Sequence, residues 1–144
     1  MTEPSQHPEQ RRKVVRLLRD HGITPTAQRV KIAMVLMERP QHLSADQVLA
    51  RTNVTGKPVS KATVYNTLGL FTRHGLIQEL TVDSSRAFYD SSTHGHSHFY
   101  NPETQELTDI PAGQLQLSLP ETLPEGTEID RVDVVIHLRP AGGN

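Results

Sequence analysis

The densest group of side chains that could do chemistry is the run Asp-Ser-Ser-Thr-His-Gly-His-Ser-His, which begins at Asp90. Residues two apart in a strand project from the same face, so His96 and His98 share a face, and His94 joins them if the strand extends backwards. Imidazoles at this spacing can chelate a divalent metal, and Asp90 and Asp109 could add carboxylate oxygens. A solvated His-rich loop at a domain junction is the alternative interpretation.

The ligand types limit the metal and the chemistry. The chain has no Cys, which excludes disulfides, thiolate metal sites, iron–sulfur clusters and thiol catalysis. Nitrogen and oxygen ligands suit Fe(II), Mn(II) or Zn(II), and we favour Fe(II). Nothing resembles a catalytic triad, a Walker loop or a dinucleotide fingerprint, so we expect no enzyme. A small non-regulatory metal-binding protein, or a metal-assisted hydrolase, is the alternative from another class.

The net charge of −1 conceals two oppositely charged halves. Residues 1–82 contain 12 Lys and Arg against six acidic residues, a net of +6, whereas the remainder contains three against ten, a net of −7. This asymmetry predicts a basic nucleic-acid-binding module joined to an acidic module with another purpose. The alternative is that the basic and acidic halves form two differently solvated faces of one fold.

Hydrophobic spacing and capping residues predict four helices in the basic half, which begin near Arg11, Thr24, Ser44 and Ser60. The third has a capping-box pattern, because Gln47 follows Ser44 by three residues. Two short strands at 76–80 and 87–89 then form a hairpin. Helices followed by a hairpin are typical of a winged-helix domain, in which the N-terminal turns of the recognition helix enter the major groove of DNA.

The fourth helix, with its polar first turns, is the predicted recognition helix. Tyr65 could either pack against the core or contact a thymine methyl group, and Arg29 on the second helix could anchor a phosphate or lie on the surface. The candidate DNA contacts are Arg29, Ser60, Lys61, Thr63, Tyr65 and Asn66.

The acidic half predicts a small sheet. A hairpin is expected from residues 96–101 and 106–110, and a further strand at 129–138. Three short strands bury too little surface to be stable alone, so we expect this module to dimerise. The predicted fold class is α+β: an N-terminal winged-helix DNA-binding domain, followed by a small α/β dimerisation domain with an antiparallel sheet.

The predicted domain boundaries are a disordered tail at 1–10, the winged helix at 11–90 and a metal-sensing dimerisation domain at 91–144. The polar start and the lack of a long apolar run predict no secretory signal and no membrane span. We therefore expect a cytoplasmic bacterial protein.

These motifs together resemble the ferric uptake regulator superfamily of bacterial metal-responsive repressors, and within it the iron response regulator branch. The resemblance covers about residues 12–138. It rests on five stretches: Gly-Ile-Thr-Pro-Thr-Ala-Gln-Arg ending at Arg29, Gln-His-Leu-Ser-Ala-Asp ending at Asp46, Ser-Lys-Ala-Thr-Val-Tyr-Asn-Thr-Leu ending at Leu68, Phe-Tyr-Asp ending at Asp90, and His-Ser-His-Phe-Tyr ending at Tyr100.

The resemblance implies a dimeric, metal-responsive regulator of iron homeostasis genes that binds an A/T-rich inverted repeat in double-stranded DNA, with a tetramer as the alternative assembly. It also implies that the regulatory metal is bound by His42, Asp90, His96, His98 and Asp109. Without the resemblance, the sequence around His42 indicates that this residue lies on the surface and is not a metal ligand. A peroxide-sensing or manganese-responsive regulator of the same family is the alternative function.

The sequence departs from the family pattern in ways that affect cofactors. Asn101 and Thr104 stand where many relatives carry the first Cys pair of a structural zinc site, so no Cys-ligated structural zinc is expected. Asn66 replaces an Arg that often follows the helix Tyr in relatives. The likeness to the iron response branch implies haem as a further ligand, for which His94, His96 and His98 are the candidates.

Overall fold

The computed structural model describes residues 8–83, 86–91 and 97–142. The chain separates into two compact units, Met1–Thr93 and His94–Asn144, which are described in turn. None of the described helices is both long enough and apolar enough to span a membrane.

The described part of unit 1 contains four helices: α1 (Pro8–Asp20), α2 (Ala27–Leu36), α3 (Ala45–Thr52) and α4 (Lys61–Arg73). Helix α1 begins at Pro8, so residues 8–10, which the sequence assigned to a disordered tail, are helical. A proline is favourable in the first helical turn because the N–H that it lacks would have no partner there. The predicted capping box of α3 is present, since Ser44 and Gln47 each accept from the backbone N–H of the other.

Three short strands complete unit 1: β1 (His42–Ser44), β2 (Gln78–Asp83) and β3 (Arg86–Asp90). They form an antiparallel sheet in the order β1-β3-β2. The β2–β3 hairpin agrees with the predicted wing, whereas β1 was not predicted. Residues 84 and 85, at the predicted turn, lie outside the described residues. Because β1 pairs with β3, His42 faces Asp90 in the register of the sheet.

The helices of unit 1 enclose a continuous hydrophobic core. Its fully buried members come from all four helices and include Leu18, Leu36, Val48, Leu68 and Phe71. Burial of these apolar side chains fixes α4 against the other helices. The opposite face of α4 is thereby left to solvent.

The described residues of unit 2 form a three-stranded sheet in the order β5-β4-β6, which consists of β4 (Ser97–Asn101), β5 (Glu106–Asp109) and β6 (Val134–His137). The predicted β4–β5 hairpin is antiparallel, whereas β6 joins β4 in parallel, so the sheet is mixed and not antiparallel throughout as predicted. The strand predicted at 129–138 is shorter in the structure, because only Val134–His137 pairs with a neighbouring strand. The predicted α+β class is confirmed.

Candidate functional site

Helix α4 presents a polar surface at its start. Lys61, Tyr65 and Asn66 are exposed on its first two turns, and Tyr65 retains 43% of its accessible surface. The alternative that Tyr65 packs into the core is therefore wrong. An exposed aromatic ring beside a lysine and an amide offers an apolar contact, a cation and a hydrogen-bonding group in one patch.

Ser60 and Thr63, two of the predicted DNA contacts, also build the start of α4. The Ser60 hydroxyl accepts from the Thr63 backbone N–H at 3.1 Å and donates to the Thr63 hydroxyl at 2.9 Å. Ser60 is thus the N-cap of the helix, as its sequence position predicted. Both hydroxyls have partners within the protein, so their first role is to fix the position of the helix terminus.

Tyr65 is held by two neighbours. Its hydroxyl donates to Asp46 Oδ1 on α3 at 3.0 Å, and Lys61 Nζ lies 5.5 Å from the centre of its ring. The hydrogen bond to Asp46 raises the pKa of Tyr65 above its ordinary value of 10.0, with smaller contributions from burial and from the negative charge of Asp46. The contact leaves the ring exposed while fixing its orientation. Residue spacing does not single out Asp46, because Tyr65 lies 19 residues further along the chain.

Arg29 lies half-buried on α2 and is oriented by the preceding turn. Its guanidinium donates to the Thr24 carbonyl at 2.9 Å, and its backbone N–H donates to the Thr26 side chain, which caps α2. The arginine is therefore tied to the N-terminal end of α2 rather than extended freely into solvent.

One histidine–carboxylate pair lies in unit 1. His42 Nδ1 is 3.2 Å from Asp90 Oδ2, and both side chains are largely buried. The pairing of β1 with β3 accounts for this contact, since it sets the two residues opposite each other. The family resemblance predicted that both residues bind the metal. The local sequence around His42, taken alone, had favoured a surface histidine.

A second histidine–carboxylate pair lies in unit 2. His98 Nε2 is 3.2 Å from Asp109 Oδ1, because the two residues face each other across the β4–β5 hairpin. His98 is buried, whereas the Asp109 side chain is half exposed. The sequence predicted that the turn at 102–105 would bring Asp109 toward His98, and the strand register agrees with it.

Both pairs suit metal coordination. Metal–nitrogen and metal–oxygen bonds of about 2.0–2.2 Å place adjacent ligand atoms about 2.8–3.6 Å apart in tetrahedral or octahedral sites, and each pair is separated by 3.2 Å. Imidazole and carboxylate are ligands that first-row divalent metals accept. His94 and His96 were both predicted as haem ligands, and His96 was also predicted as a metal ligand. Both residues lie outside the described residues.

A winged helix with an exposed aromatic residue at the start of α4, joined to a small sheet with a histidine–carboxylate pair, is the arrangement expected of a metal-binding DNA-binding protein. The model of the ferric uptake regulator family matches residues 20–137. The chain belongs to the ferric uptake regulator family. Members of this family are transcription regulators and not enzymes, as the sequence predicted.

The chain is similar to individual proteins in sequence and to solved structures in fold. The peroxide-responsive repressor PerR of Staphylococcus aureus strain Mu50 is 33% identical over 98 residues, which cover 68% of this chain and 66% of that protein. The match thus spans just under two thirds of the curated relative. The ferric uptake regulator of Pseudomonas aeruginosa with manganese is 24% identical, with a TM-score of 0.63 over 86% of this chain and 95% of that one.

The ferric uptake regulator of Vibrio cholerae is 19% identical, with a TM-score of 0.68 over 88% of this chain and 98% of that one. At this level of identity the two structural likenesses establish the fold. They agree with the winged helix and the small sheet derived from the residues.

Proposed function

We propose that this protein is a dimeric, metal-responsive transcriptional regulator that binds an inverted repeat in DNA and controls iron homeostasis genes. The observation that carries the proposal is the presence of a histidine–carboxylate pair at 3.2 Å in each of the two units. One such pair alone would be a common structural contact. Two pairs with the same donor types, in a member of a metal-regulated family, favour a sensing site.

The proposed DNA-binding surface is the exposed start of α4. Tyr65 offers its ring to a thymine methyl group, Asn66 offers an amide to a base edge, and Lys61 offers a cation to a phosphate. Ser60 and Thr63 position the helix terminus, and Arg29 is a phosphate contact on α2. The net charge of +6 in residues 1–82 supports this assignment, because phosphate neutralisation dominates DNA affinity.

The proposed metal ligands are His42 and Asp90 from unit 1, and His96, His98 and Asp109 from unit 2. Each residue would contribute a nitrogen or oxygen donor to a divalent cation. The strand pairings set His42 opposite Asp90, and His98 opposite Asp109. A ligand bound by residues of both units can bias the geometry of the DNA-binding domain, which is how a metal would regulate DNA affinity. We favour Fe(II), with Mn(II) or Zn(II) as alternatives.

The proposed dimer forms through unit 2. Its described part contains few buried apolar residues, such as Tyr100 and Leu107. It also exposes a set of large apolar side chains: Leu117, Leu119, Ile129, Val132 and Leu138. Apolar surface of this kind is stabilised when a second subunit covers it. A dimer presents two copies of α4, so its operator is an inverted repeat with half-sites about one helical turn apart, or a multiple of that.

The test is DNA binding measured by fluorescence anisotropy on an A/T-rich inverted repeat. The full chain is compared as apoprotein and after loading with Fe(II), Mn(II) or haem. We expect at least one ligand to change the affinity about fivefold or more, the lower end of typical coupling energies. Equal affinity in all four states contradicts metal sensing. A direct repeat bound as well as the inverted repeat contradicts the symmetric dimer.

A peroxide-responsive regulator is the second candidate, and one observation favours it. The curated relative at 33% identity is named a peroxide-responsive repressor. In such a sensor, a histidine ligand would gain an oxygen atom when the Fe(II) protein meets peroxide. Mass spectrometry of the peptides that contain His42 and His96 tests this candidate. Added oxygen that requires Fe(II) supports peroxide sensing, and unmodified peptides under conditions that abolish DNA binding exclude this mechanism.

We further propose that the protein binds haem and belongs to the iron response regulator branch of the family. A Soret band on haem titration that is lost in His94→Ala and His98→Ala supports a haem site at the start of unit 2. No Soret shift, or one that both substitutions leave unchanged, removes this proposal.

A further inference from the structure

A cavity of about 550 Å³ lies in unit 1, on the outer face of α2. It is bordered by the start of α1, the end of α3 and the loop that leads to α4. Its lining is Pro8, Arg11, Ala27, Gln28, Lys31, Met34, Val35, Arg51, Thr52, Thr55, Gly56, Lys57, Pro58 and Val59. None of these residues is among the proposed DNA contacts on α4 and α2. Its volume falls within the range of small-molecule sites, about 300–1,000 Å³.

Among the described residues, the charged side chains of the cavity all have the same sign. Arg11, Lys31, Arg51 and Lys57 line it, and no acidic residue in the described part of the chain does. Lys31 Nζ donates to the Lys57 carbonyl at 2.6 Å, and the Arg51 guanidinium donates to Gln41 Oε1 at 2.8 Å. These partners are neutral oxygens, so the two contacts hold the cations in place without neutralising their charge. The cavity therefore complements an anion.

The rest of the wall is apolar, with one buried polar group. Met34, Val35 and Val59 supply apolar surface. Thr52, the last residue of α3, is only 1% exposed, and its hydroxyl has no hydrogen-bond partner among the described residues. Buried hydroxyls nearly always have a partner, and an exception needs an explanation such as a missing ligand or water. A cationic rim, an apolar wall and one unpartnered hydroxyl are the features of a ligand site.

We propose that this cavity binds a small amphipathic carboxylate, whose apolar body lies against Met34 and Val35. Its carboxylate group accepts hydrogen bonds from Lys31 and Arg51 at the rim. A ligand held here contacts α1, α2, α3 and the loop that precedes Ser60, the N-cap of α4. The cavity would thus give the DNA-binding domain a second ligand, chemically distinct from a metal.

The test uses octanoate as the probe and 1-octanol, which has the same chain length and no charge, as its neutral counterpart. Binding to the full chain is followed by two-dimensional NMR of the backbone amides. We expect octanoate to shift the amides of Lys31, Thr52 and Gly56, and to bind at least about tenfold more tightly than octanol. A charge-assisted hydrogen bond accounts for a difference of this size.

Substitutions locate the charge that matters. Lys31→Gln and Arg51→Gln should each raise the Kd for octanoate about fivefold or more, and leave octanol binding unchanged. Lys13→Gln, which removes an exposed cation of α1 outside the cavity, is the matched control. Circular dichroism establishes that each variant is folded. Equal affinity for the two probes, shifts confined to other residues, or the same Kd for octanoate in all three variants would overturn the proposal.

Discussion

The hydroxyl of Tyr65 on α4 donates to the carboxylate of Asp46 on α3 at 3.0 Å, while its ring stays exposed. The helix that is proposed to read DNA is therefore coupled, through its most exposed aromatic residue, to the helix before it. Asp46, which lies outside the proposed DNA-binding surface, thus fixes the direction in which Tyr65 projects.

Asp46→Asn should lower the pKa of Tyr65 toward 10.0, because the hydrogen bond to a charged carboxylate is the main cause of its upward shift. A raised folded-state pKa means that the contact stabilises the fold below pH 10 and that this stabilisation is lost as the pH rises through the raised pKa. NMR of tyrosine labelled at Cζ resolves Tyr65 from Tyr89, whose pKa is raised mainly by burial. With Asp20→Asn as control, an unchanged Tyr65 titration in Asp46→Asn would show that the contact is not maintained in solution.

Ser60 is the N-cap of α4 and also lies on the proposed DNA-binding surface. Two substitutions of Ser60 can separate these two roles. Ser60→Ala should lower the free energy of unfolding by about 0.5–2 kcal/mol, because the Thr63 N–H loses its acceptor. Ser60→Asp should keep the cap and the stability but weaken DNA binding, since a carboxylate would face the phosphates. Chemical denaturation and anisotropy measure the two effects. Normal DNA affinity in a stable Ser60→Asp protein would remove Ser60 from the interface.

Lys61 and Tyr65 should contribute to DNA binding in different ways. Lys61→Gln should weaken binding to all sequences and reduce the slope of log K against log salt by about one, as expected for one lost phosphate contact. Arg73→Gln, at the opposite end of α4, is the control. Tyr65→Ala should cost about 1–3 kcal/mol on the A/T-rich site and less on a G/C-rich one, whereas Tyr65→Phe keeps the ring and should cost less. Equal losses on both sites contradict base readout by Tyr65.

The capping residues show how much of the fold the sequence determines locally. The start of α3 at Ser44 and of α4 at Ser60 were predicted correctly, because a cap and its partner lie within three residues. Strand β1 was missed, since three residues carry no alternation that distinguishes a strand. Its existence depends on pairing with β3, more than 40 residues later. That same pairing places His42 beside Asp90, so residue spacing alone could not identify His42 as a candidate metal ligand.

The exposed apolar side chains of unit 2 predict an association that charge should disrupt. Ile129→Asp combined with Val132→Asp should shift the protein from dimer to monomer, because burying two carboxylates in an apolar interface is unfavourable. Thr104→Asp, in the exposed hairpin turn, is the control. Sedimentation equilibrium gives the mass directly. A double variant that remains a dimer would place the interface elsewhere.

The two histidine–carboxylate pairs should act as one metal site. His42→Ala and His98→Ala should each weaken Mn(II) binding strongly, and the wild type should bind one tightly held ion per chain. Calorimetric titration provides both affinity and stoichiometry, and His21→Ala, outside both pairs, is the control. Two ions per chain, with each substitution removing only one, would show that the pairs bind metal independently.

The most direct test of metal-responsive regulation is the DNA affinity of His98→Ala with and without Mn(II), compared with the wild type. His98 belongs to unit 2, whereas the proposed DNA contacts belong to unit 1. We predict that the apoproteins bind the inverted repeat equally and that Mn(II) changes the affinity of the wild type at least about fivefold. In His98→Ala this response should be lost, while His137→Ala, a variant of the same sheet, should keep it. A His98→Ala protein that responds to Mn(II) like the wild type would contradict metal-responsive regulation through His98.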